Sequence, residues 1–300
     1  MIITDFFAII QYMKTLREVL TDAKEKQYGL GHFNISNIEM LWSVVRAAQK
    51  VNIPAIIGVS EGERDVFGAQ YIALLIKKIR EETGHPLFLN ADHTYSVKRV
   101  QEAIDAGFDS VIFDGAQLSI DENIQLTKQC VEYARKSGKD VLIEGELGFI
   151  GSGSQIIDEL PAGAQVTQEH MTLPEDASRF VQETGVDLFA PAVGNLHGTL
   201  KNMPDPRLSI PRIKEIHEAA RVPLVLHGGS GLPDEDFVGS IYAGISVIHV
   251  STELRIAYRG ALEKALQELP NELAPYKYMH PVTVSLQALV ESRLRLFAHI

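Results

Sequence analysis

Residues 87–115 read LFLNADHTYSVKRVQEAIDAGFDSVIFDG. A largely apolar run at 87–92 is followed by an amphipathic helical pattern at 97–106 and by a second apolar run at 110–115. Continuous apolar runs are typical of strands that are buried on both faces, as in a parallel sheet. The segment therefore predicts one β-α-β unit in which both strands run in the same direction.

The same alternation occurs eight times along the chain. The predicted strands are 31–35, 55–60, 87–92, 110–115, 140–147, 188–194, 224–229 and 247–252. The predicted helices are 38–50, 66–82, 97–106, 123–137, 176–184, 211–220, 235–243 and 253–269. Eight units in 300 residues predict an α/β protein with a (β/α)8 TIM barrel. The alternative is a doubly wound open sheet, but no G-x-G-x-x-G pattern follows the first strand.

No segment has the composition of a linker, so we expect one barrel domain over residues 1–300. Residues 1–27 precede the first strand and are predicted as a helical extension that covers the bottom of the barrel. Within this extension, residues 1–13 lack the charge pattern of a signal peptide and the ~20 apolar residues of a membrane span.

Composition narrows the range of partners. Hydrophobic residues make up 45% of the chain, which is enough to form a full core, and 39 acidic against 28 basic residues give a net charge of −11. This charge argues against nucleic acid or an anionic membrane as a partner, so local donors must hold any anionic substrate. The single cysteine, Cys130, cannot form an internal disulfide, and we interpret it as a buried structural thiol of a cytoplasmic protein.

Three histidines follow or end predicted strands at the side of the barrel where active sites form. His93, His197 and His227 belong to the third, sixth and seventh strand ends, which meet at one rim in a barrel. Three neutral imidazoles with one open position are typical of a catalytic zinc site. Any one of them alone could be a structural histidine. Together they predict one divalent metal per chain.

A glycine-rich loop follows His227 directly and reads Gly228-Gly229-Ser230-Gly231. Successive glycines expose backbone N–H groups, and the start of a helix adds a favourable dipole, so this loop predicts an anion site. Phosphate sites of barrels usually lie after strands seven and eight, where Thr252 also opens the last helix. The alternative is a plain tight turn.

No lysine lies at a predicted strand end, which argues against Schiff-base chemistry. A metal that acts as a Lewis acid on a carbonyl can stabilise a carbanion instead. Asp92, beside His93, is then placed to move a proton to or from a substrate hydroxyl. The alternative for Asp92 is a carboxylate that orients a histidine.

These motifs together resemble the class II, metal-dependent ketose-bisphosphate aldolases, which include fructose-bisphosphate and tagatose-bisphosphate aldolases. The resemblance extends from about Thr15 to the C-terminus. The matching segments are His32-Phe33-Asn34-Ile35-Ser36-Asn37, Ser60-Glu61-Gly62, Asp92-His93, Phe113-Asp114-Gly115, Glu144-Gly145-Glu146-Leu147-Gly148, His197-Gly198 with Lys201, His227-Gly228-Gly229-Ser230-Gly231, and Thr252-Glu253-Leu254.

The resemblance implies a reaction and a set of roles. A ketose (bis)phosphate is cleaved or formed with dihydroxyacetone phosphate as the common half, through a zinc-stabilised enediolate. His93, His197 and His227 would hold Zn2+, Glu146 would be an alternate ligand, and Asp92 would be the acid/base. A monovalent cation, Na+ or K+, often lies near the phosphate in this family, and we expect a homodimer or homotetramer. The implied substrate-binding residues are Asn34, Ser60, Asp114, Gly198, Lys201, Gly228, Gly229, Ser230, His249, Ser251 and Thr252.

The chain departs from the family pattern mainly around the distal half of the substrate. The departures are Asn90 for histidine, Thr94 after the ligand, Ala116 for serine, Ser154 for the loop glutamate, His249 for asparagine with Ser251 two residues on, and Tyr276 for arginine. Tyrosine offers a single neutral donor where arginine offers a charged fork. These changes predict a preference for a substrate other than fructose 1,6-bisphosphate, such as a ketose with one phosphate. In the alternative, Arg255, Arg259 or Arg293 replaces the missing arginine.

Two other functions remain open at this point. A catalytically silent barrel could bind a sugar phosphate and act as partner or regulator of another enzyme, but such a protein would not need Asp92 and all three histidines. A metal-dependent amidohydrolase would need His-x-His on the first strand, where this chain offers only His32.

Overall fold

The computed structural model describes residues 14–151, 153, 155–161, 163–164, 166–167, 170–201 and 205–300. The predictions for residues 1–13 and for Ser154 lie outside the described residues. No helix in the described ranges is both long and apolar enough to cross a membrane.

Eight parallel strands close into a barrel, which confirms the predicted fold. The barrel strands are β1 (Leu30–Asn34), β2 (Ala55–Val59), β3 (Leu87–Thr94), β4 (Ser110–Phe113), β5 (Leu142–Leu147), β7 (Leu188–Pro191), β9 (Leu224–Leu226) and β10 (Ile245–Val250). Their order around the barrel is β1-β10-β9-β7-β5-β4-β3-β2. Two further short strands, β6 (Ile156–Ile157) and β8 (Thr199–Leu200), pair with each other in a separate sheet.

Helices surround the barrel and connect its strands. They are α1 (Leu16–Lys26), α2 (Ile38–Val51), α3 (Glu61–Phe67), α4 (Ala69–Thr83), α5 (Val97–Ala106), α6 (Ile120–Lys136), α7 (Pro174–Thr184), α8 (Ile210–Ala220), α9 (Asp234–Ala243), α10 (Thr252–Glu268), α11 (Pro275–Tyr278) and α12 (His280–Phe297). Large apolar side chains such as Phe113, Phe180 and Phe237 fill the layer between strands and helices.

The bottom of the barrel has its own apolar cluster. Leu16, Val19 and Leu20 of α1 pack against strand residues that include Phe88 and Val225. Thr15 begins α1 with a reciprocal capping box to Glu18. The helix therefore covers the end of the barrel that is opposite the site described below.

Several predicted boundaries need correction. The helix predicted at 66–82 is two helices, α3 and α4, because Gly68 between them has φ +79°. The strands predicted at 188–194 and 224–229 end earlier, at Pro191 and Leu226, and Gly194 and Gly228 beyond these ends have positive φ. Helix α12, which packs against α2 and α10, was not predicted from the sequence.

Candidate active site

A cavity of about 240 Å³ opens at the C-terminal ends of the barrel strands. Its lining residues are Asn34, Ser60, Glu61, Gly62, Asp92, His93, Tyr95, Gly153, His197, His227, Gly228, Gly229, Ser230, His249, Ser251, Thr252 and Arg255. Most of the residues that the sequence assigned to the site thus lie together on one surface. This is the position at which barrels carry their active sites.

An irregularity in β3 turns two consecutive side chains toward the cavity. Asp92 and His93 both line it, although neighbours in a regular strand point to opposite faces. The pairing of β3 with β4 shifts register between Ala91 and Thr94, and His93 has φ +38°. Such a bulge re-aims side chains and is frequent beside active sites.

His93, His197 and His227 converge at this rim. Their ring centroids are 4.7, 4.9 and 5.7 Å apart, and the three ring planes cross at 70°, 67° and 72°. One nitrogen from each ring lies within 4.8 Å of those of the other two. Imidazole binds a metal in its ring plane, so three steeply crossed planes can direct their nitrogens at one point.

Carboxylates hold two of these rings. The Nδ1 of His93 lies 2.8 Å from Asp114 Oδ2, and the Nε2 of His227 lies 2.8 Å from Glu144 Oε1. Carboxylates in this position fix the tautomer and orientation of a ligating histidine. The Nδ1 of His227 and the Nε2 of His197 are buried and have no hydrogen-bond partner among the described residues. These two atoms are free to act as ligands.

The electrostatics of the cavity favour a cation near His93. Burial opposes a charge on this ring, but Asp92, Asp114 and Glu146 outweigh burial and raise the pKa of His93 to about 10. Burial, reinforced by repulsion from His93, lowers the pKa of His227 to about 3. The cluster thus combines neutral imidazole donors with carboxylates that stabilise positive charge. This donor set fits a zinc-like ion.

A second group of side chains within ligand distance is His32, Asp92 and His249. The rings of His32 and His249 are stacked, with centroids 3.5 Å apart and an interplanar angle of 5°. An ion bound by both rings would have to lie well out of at least one ring plane. This pair therefore fits a metal poorly, in contrast to the three crossed rings.

Glu146 lies behind His93 and outside the cavity lining. Its carboxylate is 3.8 Å from His93 Nδ1, and its Oε2 has no hydrogen-bond partner among the described residues. Burial and the neighbouring charge of Asp114 raise its pKa well above the usual range. A cation in the same cluster would therefore stabilise the ionised form of the Glu146 carboxylate.

Asp92 is 4% exposed and faces Asn34, His93 and His249. Asn34 Nδ2 donates to its Oδ2 at 2.8 Å, and His249 Nδ1 lies 3.4 Å from its Oδ1. Burial opposes ionisation, but the neighbouring His93 and His249 lower the pKa of Asp92 well below its usual value. The carboxylate is therefore ionised at neutral pH and able to accept a proton.

The glycine-rich loop is shaped by close contacts with the loop that carries His197. Gly228 has φ +61°, and a Cβ there would collide with Leu196 O. Ser230 Oγ accepts a hydrogen bond from Glu253 N at 3.1 Å, which ties the loop to the first turn of α10. Backbone N–H groups of the loop and the start of α10 thus lie at one end of the cavity, as an anion site requires.

Gly198 and Lys201, which the resemblance assigned to substrate binding, lie apart from the cavity lining. Lys201 is exposed and pairs with Asp158 at 3.6 Å. Gly198 has φ +90° and passes against Gln155, where β8 pairs with β6. The structure thus does not bring these two residues to the cavity.

Sequence reasoning missed several residues that shape the site. Tyr95 lines the cavity, and His32 and Glu144 lie beneath it, but none of the three had been given a role. Arg255, which also lines the cavity, had been named only as an alternative for the missing arginine. Glu144 could have been recognised from the sequence, because it is a carboxylate within an otherwise largely apolar predicted strand. The position of His32 opposite His249 depends on the register of β1 with β10.

A (β/α)8 barrel with a histidine cluster, a buried carboxylate and an anion loop at one rim has the features of a metal-dependent enzyme for phosphorylated substrates. Comparison with known proteins identifies the class. The family model described as "Fructose-bisphosphate aldolase class-II" matches residues 14–300. A fructose-bisphosphate aldolase of Staphylococcus epidermidis is 34% identical over 286 residues, which cover 94% of this chain and 96% of that protein.

Another fructose-bisphosphate aldolase, from Geobacillus stearothermophilus, has the same identity and coverage. Among solved structures, the YdjI aldolase from Escherichia coli K12 superposes with a TM-score of 0.79 and 29% identity, covering 95% of this chain and 97% of that chain. The chain belongs to the class II fructose-bisphosphate aldolase family and is a carbon–carbon lyase. The family is generally metal-dependent, in agreement with the donor set above.

Proposed function

We propose that the chain cleaves or forms a ketose phosphate with dihydroxyacetone phosphate as the common half, using one zinc ion held by His93, His197 and His227. The observation that carries this proposal is the convergence of three crossed imidazoles, two of them with buried unpartnered nitrogens, among carboxylates that favour a cation. When bound, zinc would supply Lewis-acid polarisation of a carbonyl and stabilise negative charge beside it.

Asp92 is the proposed base for cleavage. Its ionised carboxylate takes the proton from the substrate hydroxyl on the carbon whose bond will break. That oxygen then becomes the aldehyde oxygen as the C–C bond opens, and the bonding electrons pass toward the ketone carbon. Asn34 holds one carboxylate oxygen at 2.8 Å and leaves the other directed toward His249 and the cavity.

The phosphate of dihydroxyacetone phosphate is proposed to bind at the loop of residues 228–231 and the start of α10. Gly228, Gly229, Ser230 and Thr252 all line this end of the cavity. Here the donors are backbone N–H groups and two hydroxyls, which can bind a phosphate without a lysine. The proposal is consistent with the net charge of −11, because binding then depends on local donors.

The distal end of the cavity supports the altered substrate preference. Tyr276, which stands where the family has arginine, is exposed in α11 and is not among the lining residues. Arg255 is the only lysine or arginine among the described residues that line the cavity, and it already pairs with Glu63 at 2.8 Å. We therefore propose that a ketose with a single phosphate is preferred over fructose 1,6-bisphosphate.

A panel of substrates tests the proposal. Cleavage of fructose 1,6-bisphosphate, tagatose 1,6-bisphosphate and several ketose 1-phosphates would be followed as kcat/KM. We expect dihydroxyacetone phosphate as the common product and the highest kcat/KM for a ketose 1-phosphate. Arg255→Gln is the matched variant, since it removes the charge and keeps a polar side chain that can donate hydrogen bonds. A wide preference for fructose 1,6-bisphosphate that is lost in Arg255→Gln would show that Arg255 replaces the missing arginine.

A further inference from the structure

A layer of polar side chains crosses the barrel interior at the floor of the cavity, which His249 lines. His32 on β1, Asn90 on β3, Ser110 on β4 and His249 on β10 are all buried. His32 lies opposite His249 in the pairing of β1 with β10, and Asn90 lies opposite Ser110 in the pairing of β3 with β4. Barrel interiors are usually filled by branched apolar side chains, so a polar layer at this height calls for a function.

The ring of His32 is fixed from two sides. Asn90 Nδ2 donates to Ser110 Oγ at 2.8 Å, so Asn90 Oδ1 faces His32 Nε2 at 3.1 Å and accepts its hydrogen. On the other side the ring lies over Gly58, where a Cβ would collide with it. The contact with Asn90 and the close approach of Gly58 thus restrict the orientation of the His32 ring.

His249 is held mainly by stacking. One face lies on His32 at 3.5 Å and 5°, and the other faces His227 at 4.0 Å and 38°. Neither ring nitrogen of His249 has a hydrogen-bond partner of good geometry among the described residues, although Nδ1 lies 3.4 Å from Asp92 Oδ1. The contact of His249 with Asp92 therefore depends on the neighbouring rings, and His32 provides the closer and more parallel of the two.

We propose that His32 is a positioning residue for the proton-transfer step. Its ring, anchored through Asn90, holds His249 at the edge of Asp92, so that the Asp92 carboxylate is fixed between Asn34 and His249. This inference rests on the proposed role of Asp92. Loss of the His32 ring opens space beside His249, which can then rotate away and leave Asp92 held on one side only.

A double-mutant cycle tests the inference, with kcat, KM, zinc content and melting temperature measured for His32→Ala, His249→Ala and the double variant. We expect His32→Ala to lower kcat about 3- to 10-fold, the range of one aromatic contact, with KM and zinc content nearly unchanged. In the His249→Ala background the same substitution should have no further effect on kcat. An equal loss of kcat in both backgrounds, or no loss in His32→Ala, would overturn the proposal.

Asn90→Ala is the second variant, in case His32→Ala does not fold. It removes the anchor of His32 and leaves the ring in place, so a smaller loss of kcat is expected, again absent in the His249→Ala background. Asp92→Asn tests the proposed role of Asp92 separately from that of His32. Near-native turnover of Asp92→Asn would remove the proposed role of Asp92, whereas a large loss there combined with an additive cycle would remove only the role of His32.

Discussion

Removal of the Asp114 carboxylate is expected to weaken zinc binding about 10- to 100-fold while the barrel stays folded. Asp114 Oδ2 lies 2.8 Å from His93 Nδ1, and the two side chains are only 14% and 16% exposed. Water therefore replaces the lost acceptor poorly in Asp114→Ala. A buried donor without an acceptor costs about 1–3 kcal/mol, which corresponds to about a 5- to 150-fold change in a binding constant. This range of about 5- to 150-fold includes the expected loss of zinc affinity of about 10- to 100-fold.

The assay is competition for zinc between the protein and a chromophoric chelator, with the melting temperature as a check of folding. Asp114→Asn is the matched control, because it keeps the side-chain size and one oxygen that can accept from His93. Its loss of affinity should be smaller than that of Asp114→Ala. A folded Asp114→Ala protein that binds zinc with the wild-type Kd would refute the assignment of His93 as a ligand oriented by Asp114.

Two further predictions concern Asp92 and Cys130. Asp92→Ala should lower kcat by about 10²–10⁴ with zinc content retained, as expected for a general acid/base, and near-native turnover would assign the proton step to another group. Burial raises the pKa of Cys130 to about 12, so the folded protein should resist iodoacetamide at pH 8 and react only after unfolding. Because this pKa is higher in the folded than in the unfolded chain, the stability it contributes is present below about pH 8.5 and is lost as the pH rises toward 12. Rapid alkylation of the folded protein at pH 8 would contradict the buried position of Cys130.

Local sequence signals predicted much of the fold. Helix α5 was expected at 97–106 and occupies Val97–Ala106, with Ser96 capping its start and Gly107 in the left-handed region after its end. The failures also have identifiable causes. Gly68 divides a helix that hydrophobic periodicity alone treats as continuous. Helix α12 has buried residues at Val282, Leu286, Val290 and Leu294, a readable helical spacing that lies beyond the eighth repeat.

The candidate site was likewise predicted only in part from the sequence. Positions at strand ends predicted the convergence of His93, His197 and His227, because a barrel brings those ends to one rim. The contact of His227 with Glu144 spans 83 residues of sequence separation and depends on where each strand side chain points. The stack of His32 on His249 likewise follows from strand register, which the sequence leaves open.

Metal dependence is the most direct test of the central claim that a zinc ion held by three histidines supports aldol cleavage. The protein would be stripped with a chelator, its residual metal quantified, and cleavage of the preferred ketose phosphate measured before and after zinc is restored. The account predicts about one zinc per chain, loss of cleavage on stripping, recovery with zinc, and loss of the ion in His197→Ala. Full cleavage by a protein that is verified to be free of metal would contradict it.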